Sequence, residues 1–68
     1  MTVYRLEYEM EDGTFDTIET TDEDEITDQF HELKNDPECM LAQLKKQYIY
    51  GGICQGEDPI DGFNRYPR

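Results

Sequence analysis

The chain opens with a regular alternation of apolar and charged residues. From Tyr4 to Met10 every second residue is apolar, and the residues between them are charged. An apolar period of two residues is typical of a β-strand with one buried face. The turn sequence EDGT follows, and its Asp-Gly pair indicates a hairpin. We therefore predict a second strand over residues 15–20.

The register of this hairpin depends on the length of its turn. A two-residue turn would pair Met10 with Phe15. A three-residue turn, with Gly13 in the left-handed conformation, would pair Leu6 with Ile18. We favour the second register, because it places Ile18 on the same side of the sheet as the other apolar residues.

An amphipathic helix is predicted after the hairpin. Ile26, Phe30 and Leu33 recur at intervals of four and three residues, which places them on one side of a helix. We expect the helix to end at the sequence NDP, residues 35–37, because proline disfavours helical backbone in the residue before it.

The segment ETTDEDEIT, residues 19–27, holds five carboxylates in nine positions. Acidic side chains stabilise the first turn of a helix because they lie at the positive end of its dipole. Two residue pairs approximate a capping box, Thr21 with Asp24 and Asp22 with Glu25. Part of the acidic run is therefore predicted to be a helix start.

Residues 38–50 are compatible with two structures. Apolar residues from Met40 to Tyr48 are spaced like one side of a helix. Alternate residues from Met40 to Tyr50 fit a strand, with Lys46 as the exception. We favour a third strand over about residues 41–50, because a two-stranded hairpin alone is barely stable.

The end of the chain is rich in residues that interrupt regular structure. Residues 51–68 contain four of the five glycines and two of the three prolines. We expect an irregular tail over residues 53–68, with some of its apolar side chains returning to the core. The predicted fold is α+β: one small domain over residues 1–68, compact over about 2–52, with a three-stranded antiparallel sheet in ββαβ order and one helix on one face.

The chain is strongly acidic, with a net charge of −11 over 68 residues. Fourteen of the seventeen acids lie between Glu7 and Glu38, where Lys34 is the one base. Direct binding to nucleic acid or to anionic membranes is not expected, because both require Lys and Arg. No apolar run is long enough to span a membrane and no secretory signal is recognisable, so we expect a cytoplasmic protein.

Enzymatic activity is not expected. The single histidine, His31, is predicted to be a surface residue of the helix. A nucleophile needs a base within hydrogen-bond reach and a third group to orient that base, and no spacing here provides this set. We also expect a chain of this size to lack a pocket of the usual volume, about 300–1,000 Å³. No cofactor is predicted.

No metal site is predicted either. The window EDPIDGFNRYPR, residues 57–68, approximates a calcium loop of the EF-hand type. However, Pro59 and Arg68 occupy the third and twelfth positions, where oxygen ligands are needed. Cys39 and Cys54 lack Cys-x-x-Cys spacing, so we expect them to be reduced and structural, with a disulfide between them left open.

The distribution of acids is the main indication of function. In the predicted fold, the carboxylates of the hairpin and of the helix would form one regular array. Such an array can imitate the phosphates of a duplex and occupy a basic, nucleic-acid-binding surface of a partner protein. The predicted contact residues are Glu7, Glu9, Glu11, Asp12, Asp16, Glu19, Asp22, Glu23, Asp24, Asp28 and Glu32.

In size, charge and α+β pattern the chain resembles the small acidic proteins that bacteriophages encode against host nucleic-acid enzymes, anti-CRISPR and DNA-mimic proteins among them. The resemblance implies a non-enzymatic inhibitor that acts in the cytoplasm of the host cell. Its target would be a CRISPR or other defence nuclease, or a polymerase. No motif carries the resemblance, so no residue roles are transferred.

An alternative function is a structural or protein-interaction module. Tyr48, Ile49 and Tyr50 are predicted to lie on a strand at the sheet edge, and tyrosine is enriched at interfaces. In this alternative the protein docks on a partner or forms a homodimer through that edge. The acids then serve solubility.

Overall fold

The computed structural model describes residues 1–67 and has an α+β fold. Four strands form one antiparallel sheet in the order β2-β1-β3-β4, and one helix packs against it. The elements are β1 (Thr2–Met10), β2 (Phe15–Thr20), α1 (Glu23–Lys34), β3 (Cys39–Tyr50) and β4 (Ile53–Asn64). The α+β class with an antiparallel sheet and one helix is confirmed, whereas the predicted three strands in ββαβ order are wrong.

The first hairpin has the predicted three-residue turn. Leu6 pairs with Ile18, and Gly13 has a φ of 89°, a value that glycine adopts without strain. The Gly13 N–H donates to the carbonyl of Met10 at 2.9 Å, and the Met10 N–H donates to the carbonyl of Thr14 at 2.8 Å. The register with Met10 opposite Phe15 is therefore excluded.

Helix α1 begins at the acidic run, as predicted. Asp22 is the N-cap, and its carboxylate accepts from the backbone N–H groups of Asp24 at 3.0 Å and Glu25 at 3.2 Å. In a capping box the side chain of the third helical residue, here Glu25, accepts a hydrogen bond from the N–H of the N-cap residue. In this protein the Asp22 N–H donates instead to the Thr20 hydroxyl at 3.1 Å. Of the two pairs considered, the one with Asp22 supplies the cap and the one with Thr21 does not.

Residues 39–50 form strand β3, so the strand interpretation is confirmed and the helical one is wrong. The predicted irregular tail is also wrong up to Asn64, because Ile53–Asn64 pairs with β3 along its whole length. Gly51 and Gly52 connect the two strands with φ values of 60° and 77°. Two positive φ values match the type I′ turn that Gly-Gly favours in hairpins, so the signal for β4 was present in the sequence.

Strand β4 tolerates its glycines and its proline because it is an edge strand. Pro59 lies opposite Lys45, and its missing N–H costs nothing where that side of the strand has no neighbour. The β3–β4 register shifts after Leu44 and again after Tyr48, and such bulges absorb extra residues.

The core lies between α1 and one face of the sheet, which we call the covered face. The predicted stripe is confirmed: Ile26 and Phe30 are buried, and Leu33 packs against them. The buried hydrophobic residues of the core are Tyr4, Leu6, Ile26, Phe30, Cys39, Ala42 and Leu44. Within residues 1–67, no helix lies on the opposite side of the sheet, which we call the open sheet face.

The residues after β4 contact the body of the protein. Of the apolar side chains in the predicted tail, Phe63 packs against the core, whereas Ile53, Ile60 and Tyr66 are exposed. The guanidinium of Arg65 donates to the carbonyl oxygens of Asp36 and Cys39, both at 2.7 Å, and to that of Lys34. Its carbon Cζ lies 4.5 Å from the ring centroid of Phe63, which packs against the core. Arg65 therefore joins the end of the chain to the end of α1.

Candidate acidic interface

The eleven predicted contact acids do not form one surface. Successive side chains of a strand point to opposite faces, so Glu7 and Glu9 lie opposite Leu6 and therefore on the open sheet face. Glu19 lies there too, because its cross-strand partner is Arg5. The helix packs on the other side, so its carboxylates are separated from these three by the sheet.

Two of these acids on the open sheet face, Glu7 and Glu19, are paired with neighbouring cations. Lys45 Nζ lies 2.6 Å from Glu7 Oε1, and Arg5 contacts both Glu7 at 3.4 Å and Glu19 at 2.6 Å. Lys45 Nζ is also 3.9 Å from Glu57. The Lys45 ammonium and the Arg5 guanidinium together hold the pKa of Glu7 below its ordinary value. Glu7 and Glu19 are thus part of an internal charge network and are poorly placed to attract a partner.

This network also explains why two cations face each other across the sheet. Arg5 of β1 and Lys45 of β3 are direct cross-strand partners, an arrangement that is destabilising without a counter-charge. Glu7 follows Arg5 by two residues on the same face, and its carboxylate contacts both cations.

Three other predicted acids accept hydrogen bonds, Asp12 and Asp16 from nearby backbone N–H groups and Glu9 from a side chain near the end of the chain. The carboxylate of Asp12 accepts from the Thr14 N–H at 2.9 Å, and the bonds to Thr14 lower the pKa of Asp12. Asp16 accepts from the Thr17 N–H at 2.8 Å. Glu9 accepts from the hydroxyl of Tyr66.

Two acids at the helix start have structural roles. Asp22 is the N-cap, as described above. Glu23 accepts a hydrogen bond from the Tyr4 hydroxyl at 2.9 Å, which joins the first turn of α1 to β1. This bond and the partial burial of the ring raise the pKa of Tyr4.

The remaining helical acids project away from the core. Asp24, Asp28 and Glu32 recur every four residues on the side of α1 opposite the Ile26–Phe30 stripe, and all three are exposed. Glu25, which the sequence did not place in the contact set, is exposed beside them. The helical period of about 3.6 residues places Glu25 next to the row formed by Asp24, Asp28 and Glu32, so its exposure could have been predicted from the sequence. We call these four residues the outer surface of α1.

The outer surface of α1 has a charge density close to that of a nucleic-acid strand. At a rise of about 1.5 Å per residue, Asp24 and Glu32 are about 12 Å apart along the axis, which gives roughly one carboxylate per 4 Å. A strand of duplex DNA carries one phosphate per about 3.4 Å. Within residues 1–67, none of the four side chains forms an ion pair or a hydrogen bond with another side chain. The ion pairs of the described residues all lie on the open sheet face.

A hollow at the first turn adds a smaller acidic feature. It has a volume of about 540 Å³ and is lined by Glu11, Asp12 and Glu38, together with Met10 and Thr14. Glu11 is the last of the predicted contact acids, and it lies at this turn rather than on the helix.

The predicted aromatic edge is not at an edge. Tyr48, Ile49 and Tyr50 belong to β3, which lies between β1 and β4. The Tyr48 hydroxyl donates to Asp58 at 3.0 Å, and Lys46 Nζ lies 5.4 Å from the centroid of its ring. Of the three, Tyr50 is the most exposed, with 63% of its surface accessible at the hairpin tip. Tyr48 is predicted to contact a partner in the alternative, protein-interaction function, but its hydroxyl and its ring already make contacts within the chain.

The side chains that could bind a metal ion or act as nucleophiles are dispersed over the molecule. Within residues 1–67, no group of three or more His, Cys, Asp and Glu side chains is arranged to hold a metal ion. The window that approximates a calcium loop is strand up to Asn64, and its last residue, Arg68, lies outside the described residues.

Both cysteines are free. Cys39 is a core residue, as expected for a structural cysteine. Cys54 is exposed, so the expectation that it is structural is wrong. In the described part of the chain, no helix is both long and apolar enough to cross a membrane.

The expectation that no pocket of ordinary volume would form is wrong. A shallow groove of about 760 Å³ runs across the open sheet face, and its walls include Phe15, Leu41, Pro59 and Ile60. Such a groove forms without a large core because four twisted strands, with no helix on this side, leave a concave surface. Its titratable side chains are Glu7, already paired with Lys45, and Asp61, which accepts from the Gly62 N–H at 2.8 Å. The groove therefore lacks the paired nucleophile and base of an active site.

The chain was compared with protein families, curated proteins and solved structures, and none of them matches it.

Proposed function

We propose that this protein is a non-enzymatic inhibitor that binds the basic, nucleic-acid-binding surface of another protein through the outer surface of α1. The observation that supports the proposal is the row of four exposed carboxylates, Asp24, Glu25, Asp28 and Glu32, none of which forms an ion pair within residues 1–67. The proposed contact set is thus smaller than the eleven acids suggested by the sequence and includes Glu25.

The carboxylates are carried on a helix that is fixed at both ends. Asp22 caps its start, the Tyr4–Glu23 hydrogen bond ties the first turn to the sheet, and Arg65 holds the carbonyl groups at its end. A charged surface that is already ordered loses less conformational entropy on binding. This rigidity favours a decoy that presents charges at set intervals.

Net charge and charge placement act together in this proposal. A net charge of −11 attracts a basic protein over long distances and raises the association rate. The orientation is then selected by the pairing of charges, because Glu7 and Glu19 on the open sheet face are paired with Arg5 and Lys45, whereas the acids on the outer surface of α1 form no ion pair within residues 1–67. The phage-type resemblance suggests a CRISPR or other defence nuclease, or a polymerase, as the class of target, with the cytoplasm as the site of action.

A capture experiment with three baits tests the proposal. The baits are the wild type, the helix variant Asp24→Asn/Asp28→Asn/Glu32→Gln, and a control variant Glu38→Gln/Asp58→Asn/Asp61→Asn. Both variants lose three negative charges. In the control, the amide oxygens introduced at positions 58 and 61 can still accept the bonds that Tyr48 and Gly62 donate. Each bait is incubated with bacterial lysate, and bound proteins are identified by mass spectrometry.

The expected result is a nucleic-acid-binding protein that is retained by the wild type and by the control, is lost from the helix variant, and is displaced by duplex DNA or by high salt. Equal retention by the helix variant would exclude the outer surface of α1 as the contact. Capture that survives high salt and excess DNA would contradict the decoy mechanism itself.

The alternative, a module that docks through the edge and the tyrosines, has less support. Its three anchor residues lie on the inner strand β3, and Tyr48 is engaged by Asp58 and Lys46. In the same experiment it predicts retention that tolerates high salt and is equal for all three baits. A fourth bait, Tyr50→Ala, should then lose the partner.

A further inference from the structure

The open sheet face is less negative than the outer surface of α1. It holds the cations Arg5 and Lys45 against four carboxylates, those of Glu7, Glu9, Glu19 and Glu57, a formal charge of −2. The outer surface of α1, by comparison, carries four carboxylates, none of which forms an ion pair within residues 1–67. Two copies of a chain with a net charge of −11 therefore repel each other less through the open sheet face than through the outer surface of α1.

The charges of this face are already partly removed from water. The side chains of Lys45, Glu7 and Arg5 are 19%, 23% and 32% exposed, and Glu7 Oε1 is fully enclosed. Burying a charge is costly chiefly when it is unpaired. Because these three are paired within one chain, covering them with another apolar surface costs less than covering isolated charges.

Exposed apolar side chains lie beside this charge network. Phe15 on β2 and Ile60 on β4 are 57% and 49% exposed, and both line the groove of about 760 Å³ with Leu41 and Pro59. Large apolar side chains at the walls of a concave surface are typical of interaction sites.

The size of the face approaches what a small stable interface needs. The four strands contain 39 residues, and at a rise of about 3.3 Å per residue and a spacing of about 4.8 Å between strands they cover roughly 620 Å². This area lies at the lower end of stable interfaces, to which each partner contributes about 600–1,000 Å².

The sheet edges, by contrast, are protected against pairing with another chain. On β2, Asp16 occupies the N–H of Thr17, and on β4, Asp61 occupies the N–H of Gly62. Pro59 also removes one donor from β4. Aspartates and proline on edge strands disfavour edge-to-edge association.

We infer that two copies of this chain associate face to face through the open sheet face. The dimer is isologous: the same surface is used by both copies, related by a two-fold axis, and the two sheets pack about 10 Å apart. The apolar groove of each copy is covered by the other, while both α1 helices remain on the outside. This inference does not depend on the proposed function, since the outer surface of α1 stays accessible in both states.

Sedimentation equilibrium of the full chain tests the inference, in buffers with about 0.15 M and about 1 M NaCl. High salt reduces the screening length from about 8 Å to about 3 Å and so weakens repulsion between the copies. We expect the mass to rise with concentration from 8.1 kDa towards twice that value, and the dimer to be tighter in 1 M NaCl. Binding of a basic partner through α1 has the opposite salt dependence, so the two ideas fail separately.

A pair of matched variants locates the interface. Phe15→Lys/Ile60→Lys places two charges at the walls of the groove, where both native side chains are half exposed, and is expected to weaken dimerisation by roughly tenfold or more. Tyr50→Lys/Ile53→Lys makes the same change in net charge at the hairpin tip, where the native side chains are 63% and 64% exposed, and should leave dimerisation unchanged.

Three results would overturn the inference. One is a mass of a single chain at every concentration in both buffers. The second is a dimer that is weakened equally by the two variants. The third is a dimer that is tighter at low salt, since attraction between opposite charges would then be its cause.

Discussion

The guanidinium of Arg65, just beyond β4, donates a hydrogen bond to the carbonyl oxygen of Lys34, the last residue of α1. It also donates to the carbonyl oxygens of Asp36 and Cys39. The last carbonyl groups of a helix have no partner within the helix and carry the negative end of its dipole. One cation from the end of the chain therefore completes a helix that lies 31 residues earlier in the sequence.

Replacing Arg65 with methionine should destabilise the protein by about 1–2 kcal/mol, because a charged donor to three carbonyl groups is lost at a partly exposed site. Arg65→Lys keeps the charge, but its single ammonium cannot reach all three carbonyl oxygens. The free energy of unfolding of this variant should therefore lie between those of the wild type and Arg65→Met. Urea denaturation followed by circular dichroism gives the free energies of unfolding. Lys34→Met, which removes a charge at the same helix end without these bonds, is the control. If it costs as much as Arg65→Met, net charge and not the hydrogen bonds would explain the effect.

The turn between β3 and β4 depends on left-handed glycines. Gly52 has a φ of 77°, so Gly52→Ala should cost about 1 kcal/mol although its Cβ would meet no atom within 4 Å. Gly56→Ala is the matched control: its φ is not in that region, and its Cβ would lie 4.0 Å from Tyr48. We expect the control to be neutral, and thermal unfolding of both variants compares them. A loss of stability at Gly56 alone would mean that packing, not backbone strain, limits this hairpin.

The contrast between β3 and β4 shows how far the local pattern predicts this fold. The first hairpin, α1 and β3 follow from periods of two and of three to four residues in their own sequences. Strand β4 has no such period, because only Phe63 of its large apolar residues reaches the core. Its structure comes from backbone pairing with β3, which composition does not reveal. The Gly51-Gly52 pair was the one local signal, and it was outweighed by the other glycines and Pro59.

The candidate site was predictable in part for a similar reason. The helical period correctly placed Asp24, Asp28 and Glu32 on the side away from the core. Neutralisation of Glu7 was not predictable, because it depends on the β1–β3 register that brings Lys45 to it. The separation of Glu7 from the helical acids, however, followed from the alternation that placed Leu6 in the core.

The ion pair between Glu7 and Lys45 makes a prediction about pH. The pKa of Glu7 is lowered in the folded protein, so its contribution to stability is present above the unfolded value of about 4.5 and is lost as the pH falls through the lower, folded value. Glu7→Gln should therefore cost about 1 kcal/mol at pH 7. This difference from the wild type should shrink as the pH falls below about 4.5.

The comparison is between variants because protonation of the other acids also relieves repulsion and changes the stability of every variant. Glu32→Gln serves as the control, since its side chain has no ion pair within residues 1–67. Urea denaturation at a series of pH values gives both differences. A Glu7→Gln difference that stays constant between neutral pH and acid would show that shape, and not charge, is what Glu7 supplies.

The outer surface of α1 makes the prediction that bears most directly on function. Each exposed carboxylate contributes about 0–1 kcal/mol to an ion pair, so Asp24→Asn alone should change affinity for a captured partner by a few-fold at most. The triple variant Asp24→Asn/Asp28→Asn/Glu32→Gln should weaken it by roughly tenfold or more. The loss should appear mainly in the association rate and become smaller as salt increases, because long-range attraction is what the substitutions remove. Surface plasmon resonance across a salt series measures the two rates separately. If the triple variant changed only the dissociation rate, with no dependence on salt, the helix would be a short-range contact surface, and the similarity of its charge spacing to that of a nucleic-acid strand would have no part in binding.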